Sequence, residues 1–249
     1  MVERVPTGIP GLDSLIQGGF PKGRTILVAG PTGAGKSILG MQFLYKGIME
    51  YGEPGVFFTL DEPANQLRED LAVFGWNLED LENSGKLILL EGAAAKAGFT
   101  TEEKYAVTNM SLSVDYLLHD IRKACSTIGA KRFVLDSIPA LSFQSDNPSE
   151  IRKAILRISL FLKKLGLTSI LTTEIPEMSV KTEYPKKYSK YDVEEYIADG
   201  LIVLNFVDLG IGEPVRSLCI KKMRGTYHTT KLFQLSIDSK GASVIPLEG

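Results

Sequence analysis

Short apolar runs and amphipathic stretches alternate along most of the chain. Apolar runs recur at 25–29, 55–60, 86–90, 132–135 and 168–173 and predict strands. The stretches between them, at 38–51, 63–74, 114–128 and 148–165, are typical of helices. Strands that alternate with helices pair in parallel, so the pattern predicts an α/β fold with a mostly parallel central sheet that is buried on both faces and flanked by helices.

Local signals at the ends of the helices support this division of the chain. Gly52 and Gly166 follow the first and the last helical stretch, and glycine allows the left-handed backbone that ends a helix. Asn147 before Pro148 is a typical helix start, and Ser113 is expected to cap the helix that follows it. Four helices are therefore expected between the five strands.

The last fifty residues have a different pattern. Apolar or alternating runs at 201–206, 215–221, 231–237 and 242–245 follow one another with turns but no helices between them. Such runs predict a C-terminal antiparallel extension of the sheet. Two long connections, 93–110 and 176–194, fit no regular element, and loops of that length are more often functional or mobile than neutral.

Composition sets only broad limits. The chain has 249 residues, of which 44% are hydrophobic, enough for one large domain over 1–249 with 1–23 packed on its core. The net charge of −2 implies no general attraction to nucleic acid. Cys125 and Cys219 lack metal-ligand spacing and are interpreted as core residues of a reduced protein. With neither a signal peptide nor a long apolar run, the expected location is the cytoplasm, away from membranes.

The most informative motif lies between the first strand and the first helix. Residues 30–37 read G-P-T-G-A-G-K-S and match the phosphate-binding loop G-x-x-x-x-G-K-[S/T] at every fixed position. A chance glycine-rich turn is the alternative, but the flanking strand and helix agree with the motif. The residues predicted to bind nucleotide here are Gly30, Pro31, Thr32, Gly33, Ala34, Gly35, Lys36 and Ser37.

Each position in this loop has a chemical reason. Glycines let successive N–H groups point at an anion, and the helix dipole adds positive potential. Lys36 would reach the β- and γ-phosphates of ATP and assist catalysis, and the Ser37 hydroxyl would complete the shell of a Mg²⁺ ion. ATP and Mg²⁺ are therefore the predicted ligands.

Carboxylates at two strand ends are candidates for the metal and the chemistry. Asp136 ends the run 133–135, where a P-loop NTPase holds its magnesium shell. Hydrolysis also needs a group that orients or deprotonates water, and Asp61 and Glu62 follow another strand. Because Asp61 is also able to cap the next helix, Glu62 is the preferred base, with Asp61 in support.

Further polar groups have two interpretations each. Thr172, Thr173 and Glu174 end the fifth strand and could sense the γ-phosphate or simply form a turn. Lys222 and Arg224 would share one face of a strand, either as a solvated edge or as a cationic pair aimed at a phosphate. His119 has no recognisable partners and is interpreted as a surface or satisfied core residue.

Taken in order, several motifs resemble those of a single KaiC-type domain of the RecA superfamily. They are 7–13 (TGIPGLD), 18–23 (GGFPKG), the phosphate loop, 59–63 (TLDEP), 135–137 (LDS), 195–200 (EYIADG) and 222–228 (KMRGTYH). This resemblance spans nearly the whole chain and is far more specific than the phosphate loop alone.

The resemblance implies a RecA-type core with ATP bound between subunits, commonly in a hexameric ring. It implies that Asp61 and Glu62 match the catalytic carboxylate pair of the family. It also implies that Lys222, Arg224 and His228 reach the ATP of the neighbouring subunit, where a cation would act as an arginine finger.

The chain also departs from the family pattern. Its carboxylate pair is Asp-Glu where KaiC has Glu-Glu, so the resemblance does not fix the turnover rate. One phosphate loop excludes a tandem two-domain clock protein, and Ile175 and Pro176 stand where an arginine is usual in clock proteins. No DNA-binding domain fits before Gly23, which counts against a RadA-type recombinase.

Two functions are compatible with these residues. The preferred one is a slow Mg²⁺-dependent ATPase that regulates assembly or a partner protein through its nucleotide state. The alternative is a recombination accessory that binds single-stranded DNA through the loop 176–194. That loop interleaves cations and aromatic residues, although acidic residues dilute its charge: Lys181, Lys186, Lys187 and Lys190 with Tyr184, Tyr188 and Tyr191.

Overall fold

The computed structural model describes residues 2–107, 114–144, 147–175, 194–208 and 213–247, together with Tyr188 and Tyr191. Its strands are β1 (Arg4–Val5), β2 (Phe20–Pro21), β3 (Thr25–Gly30), β4 (Gly55–Thr59), β5 (Leu87–Glu91), β6 (Arg132–Asp136), β7 (Thr168–Glu174), β8 (Gly200–Val207), β9 (Val215–Met223), β10 (Leu232–Asp238) and β11 (Gly241–Pro246). Its α-helices are α1 (Leu12–Leu15), α2 (Lys36–Tyr51), α3 (Ala64–Ala72), α4 (Leu78–Asn83), α5 (Ala93–Ala97), α6 (Val114–Ile128), α7 (Pro148–Lys164) and α8 (Glu194–Ile197), and a 3-10 helix spans Ile138–Gln144.

The main sheet has nine strands in the order β11-β10-β9-β8-β3-β7-β6-β4-β5. The six strands from β8 to β5 pair in parallel, and β9, β10 and β11 continue the sheet antiparallel. This arrangement confirms the predicted α/β class with a C-terminal antiparallel extension. Because the strands of the parallel part end at one edge, loops from separate parts of the chain meet there.

One strand was assigned to the wrong part of the sheet. The run 201–206 was expected to begin the antiparallel extension, but β8 lies parallel to β3, with Ile26 opposite Gly200. The antiparallel pairing begins only between β8 and β9. Parallel neighbours require a crossover of a dozen or more residues, and the chain between β7 and β8 is long enough to provide it.

The sheet is buried on both faces because its inner strands are mostly apolar, and most of the polar residues toward their ends are buried as well. Along β3, Ile26 and Val28 face one core cluster, and Leu27 and Ala29 face the other. The first cluster lies against α2, and the second lies against α6 and α7. Successive side chains of a strand point to opposite faces, so a continuous apolar run serves two layers of helices.

The N-terminal residues pack on the first of these clusters. Ile9, Leu12 and Phe20 are fully buried there, although the pattern at 1–23 predicts no regular element. Asp13 accepts hydrogen bonds from the N–H group of Thr7 at 2.9 Å and from its hydroxyl at 2.6 Å. These contacts fix the segment internally, and Nε2 of Gln42 in α2 donates to the carbonyl oxygen of Gly8 at 3.0 Å, which holds the segment against α2.

Other differences concern short elements. The stretch 93–110 was expected to be irregular, but it begins with α5, and Ala106 bridges to Glu91. Helix α4 was not predicted; the side chain of Asn77 caps it. Ser113 and residues 176–187 lie outside the described part of the chain. Short helices and bridges of this kind depend on neighbouring segments more than on local pattern.

Three single residues can now be located. Cys125 and Cys219 are free thiols in the core, as expected. His119 is exposed on α6, so it is a surface residue and not a core residue. Within the described residues, no helix combines the length and the apolar character that a bilayer crossing requires.

Candidate functional site

The phosphate loop joins the end of β3 to the start of α2. Gly33 and Gly35 have φ angles of +78° and +98°, in the left-handed region that favours glycine. A Cβ atom on Gly35 would also lie 2.7 Å from Cδ1 of Ile237. Among the described residues no side chain caps α2, so the N–H groups of its first turn are available to an anion.

Lys36 opens α2 and is almost completely buried. Its Nζ atom donates hydrogen bonds to the carbonyl oxygens of Gly30 and Pro31, each at 2.9 Å. Burial lowers the pKa of Lys36, and the negative charges of Glu174 and Asp136 act against that shift. The loop therefore holds the ammonium group among its own carbonyl oxygens, inside the predicted phosphate site.

Asp136 ends β6 and lies beside the phosphate loop, although 99 positions separate it from Ser37. The hydroxyl groups of Ser37 and Thr172 hydrogen-bond to its carboxylate. Burial raises the pKa of Asp136, and these two hydrogen bonds oppose the shift. A partly buried carboxylate next to a serine hydroxyl supplies the hard oxygen donors that Mg²⁺ prefers.

The donor set near Asp136 is small. In the described part of the chain, no group of three or more His, Cys, Asp or Glu side chains could hold a metal ion. An ion at Ser37 and Asp136 would thus take most of its ligands from phosphate oxygens and water, as Mg²⁺ commonly does at nucleotide sites. The residues present fit that mode of binding.

Glu62 and Asp61 follow the end of β4 and line the same cavity as the phosphate loop. Burial raises the pKa of Glu62 to about 7, and a hydrogen bond with Asp70 and the charges of Asp70 and Asp136 act in the same direction. The hydroxyl of Thr59 donates to the carbonyl oxygen of Glu62 at 2.5 Å. A carboxyl group with this pKa is suited to exchange a proton near neutral pH.

The suggestion that Asp61 caps the next helix is wrong. Its carboxylate accepts a hydrogen bond from Nζ of Lys96 at 2.6 Å and another from the hydroxyl of Ser137. The N–H group of Ala64, in the first turn of α3, is instead bound by the buried carboxylate of Glu91 at 3.0 Å. Because β5 pairs with β4, the end of β5 already lies at that position.

The three polar residues at the end of β7 have separate surroundings. Thr172 binds Asp136, and Glu174 lines the cavity and accepts a hydrogen bond from Thr32 at 3.4 Å. Thr173 is buried on the other face of the sheet, where its hydroxyl lies 3.5 Å from Glu194. Thr173 is therefore not a phosphate-sensing residue, because alternation along the strand turns it away.

A cavity of about 460 Å³ joins these groups at the carboxyl ends of the parallel strands. The residues that the sequence suggested for the site and that line this cavity are Thr32, Gly33, Gly35, Lys36, Ser37, Asp61, Glu62, Asp136 and Glu174. Ala34, by contrast, packs its side chain into the core beneath the loop. The carboxylates and the phosphate loop thus face a single space large enough for a small ligand.

Sequence reasoning did not find Arg216 and Ile237, which also line this cavity. Arg216 Nε donates to the carbonyl oxygen of Gly33 at 3.0 Å, and its guanidinium lies 5.7 Å from the ring centre of Phe206. Both residues come from the antiparallel strands β9 and β10. No local motif in the sequence marks these two residues. Arg216 reaches the loop because β9 pairs with β8, which places Arg216 opposite Phe206.

The predicted cationic pair lies at the other end of the parallel strands, near the first residue of β3. Lys222 pairs with Leu201, and the backbone N–H of Arg224 binds the carbonyl of Asp199, whose own N–H binds Thr25 at the start of β3. The phosphate loop begins at the other end of β3, roughly 16 Å away at about 3.3 Å per residue. His228, near this end, contacts the carbonyl oxygen of Thr229 at 3.3 Å.

These cations contact backbone of their own chain. Lys222 Nζ donates to the carbonyl oxygens of Glu195 and Ala198 at 2.9 and 2.8 Å, and Arg224 donates to that of Tyr196 at 3.5 Å. Burial and the nearby charge of Arg224 lower the pKa of Lys222. Arg224 follows the end of β9, so the two residues do not share one face of a strand. Both contact residues 195–199 of the same chain, and neither lines the cavity of its own phosphate loop.

The DNA-binding alternative depended on lysine and tyrosine residues that are interleaved in the loop 176–194. Outside the described residues lie Lys181, Lys186, Lys187, Lys190 and Tyr184. Tyr188 and Tyr191 are the members of that set within the described residues, and both pack against the core. Tyr191 is 7% exposed, and its hydroxyl donates to the carbonyl oxygen of Pro139 at 3.4 Å. Base stacking needs an open ring face, which Tyr191 does not offer.

A phosphate loop at the central strand of a mostly parallel sheet, with antiparallel strands beyond it, defines a P-loop fold of the RecA type. The chain matches a protein-family model described as "ATPase: KaiC" over residues 5–249. It belongs to this KaiC-like ATPase family, which confirms the resemblance and implies nucleotide binding.

Relatives and a solved structure agree with this assignment. UPF0273 proteins of Aeropyrum pernix and Thermotoga maritima are 36% and 35% identical over 99% and 100% of this chain, covering 95% and 98% of their own lengths. The crystal structure of a KaiC-like protein from Pyrococcus horikoshii is 40% identical, with a TM-score of 0.83 over 99% of this chain and 100% of that one.

The circadian clock oscillator protein KaiC of Thermosynechococcus vestitus is also similar, with 34% identity over 99% of this chain. This chain covers only 45% of that protein, so it spans about half the length of the clock proteins that it matches.

Proposed function

We propose that this chain is a slow Mg²⁺-dependent ATPase that assembles into a ring, with each ATP bound between two subunits. Its nucleotide state would regulate that assembly or a partner protein. One observation carries the proposal: the phosphate loop and the carboxylates share one cavity, whereas the family's cationic motif lies at the other end of the parallel strands. Each subunit would then contribute to two different active sites.

The residues at the cavity fit the binding of a triphosphate. Lys36 would exchange its two carbonyl contacts for phosphate oxygens, and the first-turn N–H groups of α2 would bind the same anion. Ser37 and Asp136 would hold Mg²⁺, which would neutralise charge on the β- and γ-phosphates. Arg216 and Ile237 would contact the nucleotide from the antiparallel strands.

Glu62 is the proposed general base for hydrolysis. Its carboxylate would take a proton from water as the water oxygen bonds to the γ-phosphorus and the bond to the leaving ADP oxygen breaks. A pKa of about 7 matches this task at neutral pH. Asp61, held by Lys96 and Ser137, would support Glu62 and orient the water.

The cations would act in trans. Lys222 and Arg224, with His228, would approach the γ-phosphate bound by the adjacent subunit and stabilise charge that develops during transfer. The exposed guanidinium of Arg224 supports this role, because 55% of the side chain is accessible in the single chain.

Subunit mixing tests this arrangement. Arg224→Ala and Glu62→Gln homo-oligomers should both be nearly inactive, since each lacks one half of every site. In a mixture at equal amounts, about a quarter of ring interfaces would pair an intact Glu62 with an intact Arg224, and activity should return in proportion. If labelled subunits exchange and no activity reappears, the trans role is wrong.

Arg216 supplies a matched control, because it belongs to the cavity of its own chain. Arg216→Ala should regain activity when mixed with Arg224→Ala, since the two defects lie on opposite sides of an interface. It should not regain activity with Glu62→Gln, since those two defects lie on the same side. The reverse pattern would move Arg216 to the trans side and contradict the proposal.

A further inference from the structure

A second cluster of charged groups lies outside the cavity, around Asp199. This residue links α8 to β8, and its side chain is only 1% exposed. The carboxylate accepts hydrogen bonds from Nζ of Lys163 at 2.8 Å and from the N–H group of Thr25 at 3.2 Å. Nη1 of Arg24 lies 3.3 Å from its other oxygen. Contacts with several cations and a backbone N–H group hold the Asp199 carboxylate in one orientation.

The same residue holds Arg224, one of the proposed trans-acting cations. Nη1 of Arg224 lies 3.7 Å from Oδ1 of Asp199, and the N–H group of Arg224 binds the Asp199 carbonyl oxygen at 2.8 Å. Next to it, the carbonyl oxygen of Ala198 accepts from Nζ of Lys222 at 2.8 Å. Asp199 thus contacts one guanidinium nitrogen of Arg224 and leaves about half of that side chain exposed at the surface.

Asp199 is also connected to the strand that precedes the phosphate loop. Its N–H group binds the carbonyl oxygen of Thr25 at 2.8 Å, at the first residue of β3. Strand β3 then runs to Gly30, where the loop begins. One buried residue therefore joins the strand that leads into a subunit's own phosphate loop to Arg224, at the other end of that strand.

We propose that Asp199 is a positioning residue that orients Arg224 toward the nucleotide of the neighbouring subunit. This inference rests on the proposed trans role of that cation. Asp199 would touch no substrate; it would restrict the rotamers of Arg224 so that the guanidinium is already directed outward when the subunits meet. Through Thr25 it would also keep that guanidinium in a fixed relation to β3.

The first measurement is ATP turnover and affinity of Asp199→Asn, which keeps the shape but removes the charge. Turnover should fall roughly 10- to 100-fold, the scale of a misplaced catalytic group, while the affinity for ATP stays within about twofold because the cavity is intact. The matched control is Lys163→Gln, which removes another ion pair of the same carboxylate but leaves its contact with Arg224. Its turnover should stay within about twofold of wild type.

Subunit mixing then separates positioning from a general structural role. Asp199→Asn should regain activity with Glu62→Gln, whose Arg224 and Asp199 are intact, and should not regain it with Arg224→Ala. Recovery with Arg224→Ala would mean that Asp199 serves its own cavity and would overturn the inference. Wild-type turnover of Asp199→Asn, or equal losses in Asp199→Asn and Lys163→Gln, would overturn it as well.

Two further outcomes are distinguishable. If Arg224→Ala and Glu62→Gln fail to restore each other although subunits exchange, the trans role itself fails, and the inference about Asp199 falls with it. If only the Asp199→Asn pairings deviate, the proposed function stands and the positioning role alone is wrong. Should Asp199→Asn not assemble, the double variant with Lys163→Gln removes the buried anion and a cation together, and the same pairings are measured with it.

Discussion

Asp136, which is partly buried, and Asp199, which is fully buried, lie at opposite ends of the parallel strands, and their surroundings differ. The Asp136 carboxylate is hydrogen-bonded by two hydroxyl groups, and burial raises its pKa. Burial also disfavours ionisation of Asp199, but hydrogen bonds from Lys163 and Thr25 and nearby positive charges outweigh it, so that pKa is lowered. The hydrogen-bond partners of Asp136 are thus uncharged, whereas those of Asp199 include the positive charge of Lys163.

This difference indicates different uses. Hydroxyl groups stabilise a carboxylate less than cations do, so Asp136 fits the proposed role of holding a cation that comes with the nucleotide. Asp199 already has its cations and is suited to hold the fold and the residues attached to it. The comparison fits a ligand site at the carboxyl end of the parallel strands and, at the amino end, internal contacts that hold Arg224 in place.

The largest expected effect concerns chemistry at the carboxyl end. Glu62→Gln keeps the shape of the side chain but removes its basicity, so turnover should fall roughly 10²-fold or more while ATP still binds. Single-turnover hydrolysis and calorimetric ATP binding check the two parts separately. Hydrolysis that persists in this variant but disappears in Asp61→Asn would show that the roles of the two carboxylates are reversed.

The next effect concerns binding at the same end. Lys36→Ala removes the charged group of the phosphate loop, and ATP affinity should fall roughly 10- to 100-fold, the equivalent of a lost charge-assisted contact. Calorimetry on the folded variant measures it. An affinity within about twofold of wild type would contradict the assignment of the loop as the triphosphate site.

The pH dependence of turnover tests the surroundings of Glu62. A base must be ionised, and the carboxyl pKa is raised to about 7, so turnover should be constant above that value and fall as the pH drops below it. At pH 6 it should be about tenfold below the plateau. The residual activity of Glu62→Gln should lack this acidic limb. An unchanged rate down to pH 5 would exclude Glu62 as the base.

The smallest effect compares the two aspartates directly by thermal unfolding without nucleotide. Asp199→Asn should lower stability by about 1–3 kcal/mol, less than for fully buried pairs because two of its cations are half exposed. Asp136→Asn should leave stability unchanged or raise it, since it removes a poorly compensated charge, while Mg²⁺ dependence of ATP binding is lost. Equal destabilisation by both variants would contradict the comparison.

The linkage to pH has a definite sign for Asp199. Its pKa is lowered in the folded state, so its contribution is fully present above the unfolded value of about 4 and is lost as the pH falls through the lower folded value. The stability difference between wild type and Asp199→Asn should therefore be full at pH 7 and shrink below pH 4. A difference that grows on acidification would indicate another cause.

The sequence by itself determined the features that contiguous residues encode. The spacing of glycine, lysine and serine in the octet 30–37 predicts a phosphate-binding loop, and local periodicity predicts the strand and the helix on either side of it. Five mostly apolar runs between amphipathic stretches also predicted the parallel sheet, because a strand that is buried on both faces does not alternate between apolar and polar positions. Asp136 directly follows one of these runs, so the sequence also predicted its position at the end of a strand.

Only the tertiary structure decided which distant residues meet. Strand order brings Ser37 to Asp136, and pairing of β8 with β9 brings Arg216 to the phosphate loop. Partners of Asp61, Glu91 and Asp199 come from other segments, and the direction of β8 depends on the crossover before it. Local sequence records the period and burial of one element, whereas these contacts arise from register between elements, which no single segment encodes.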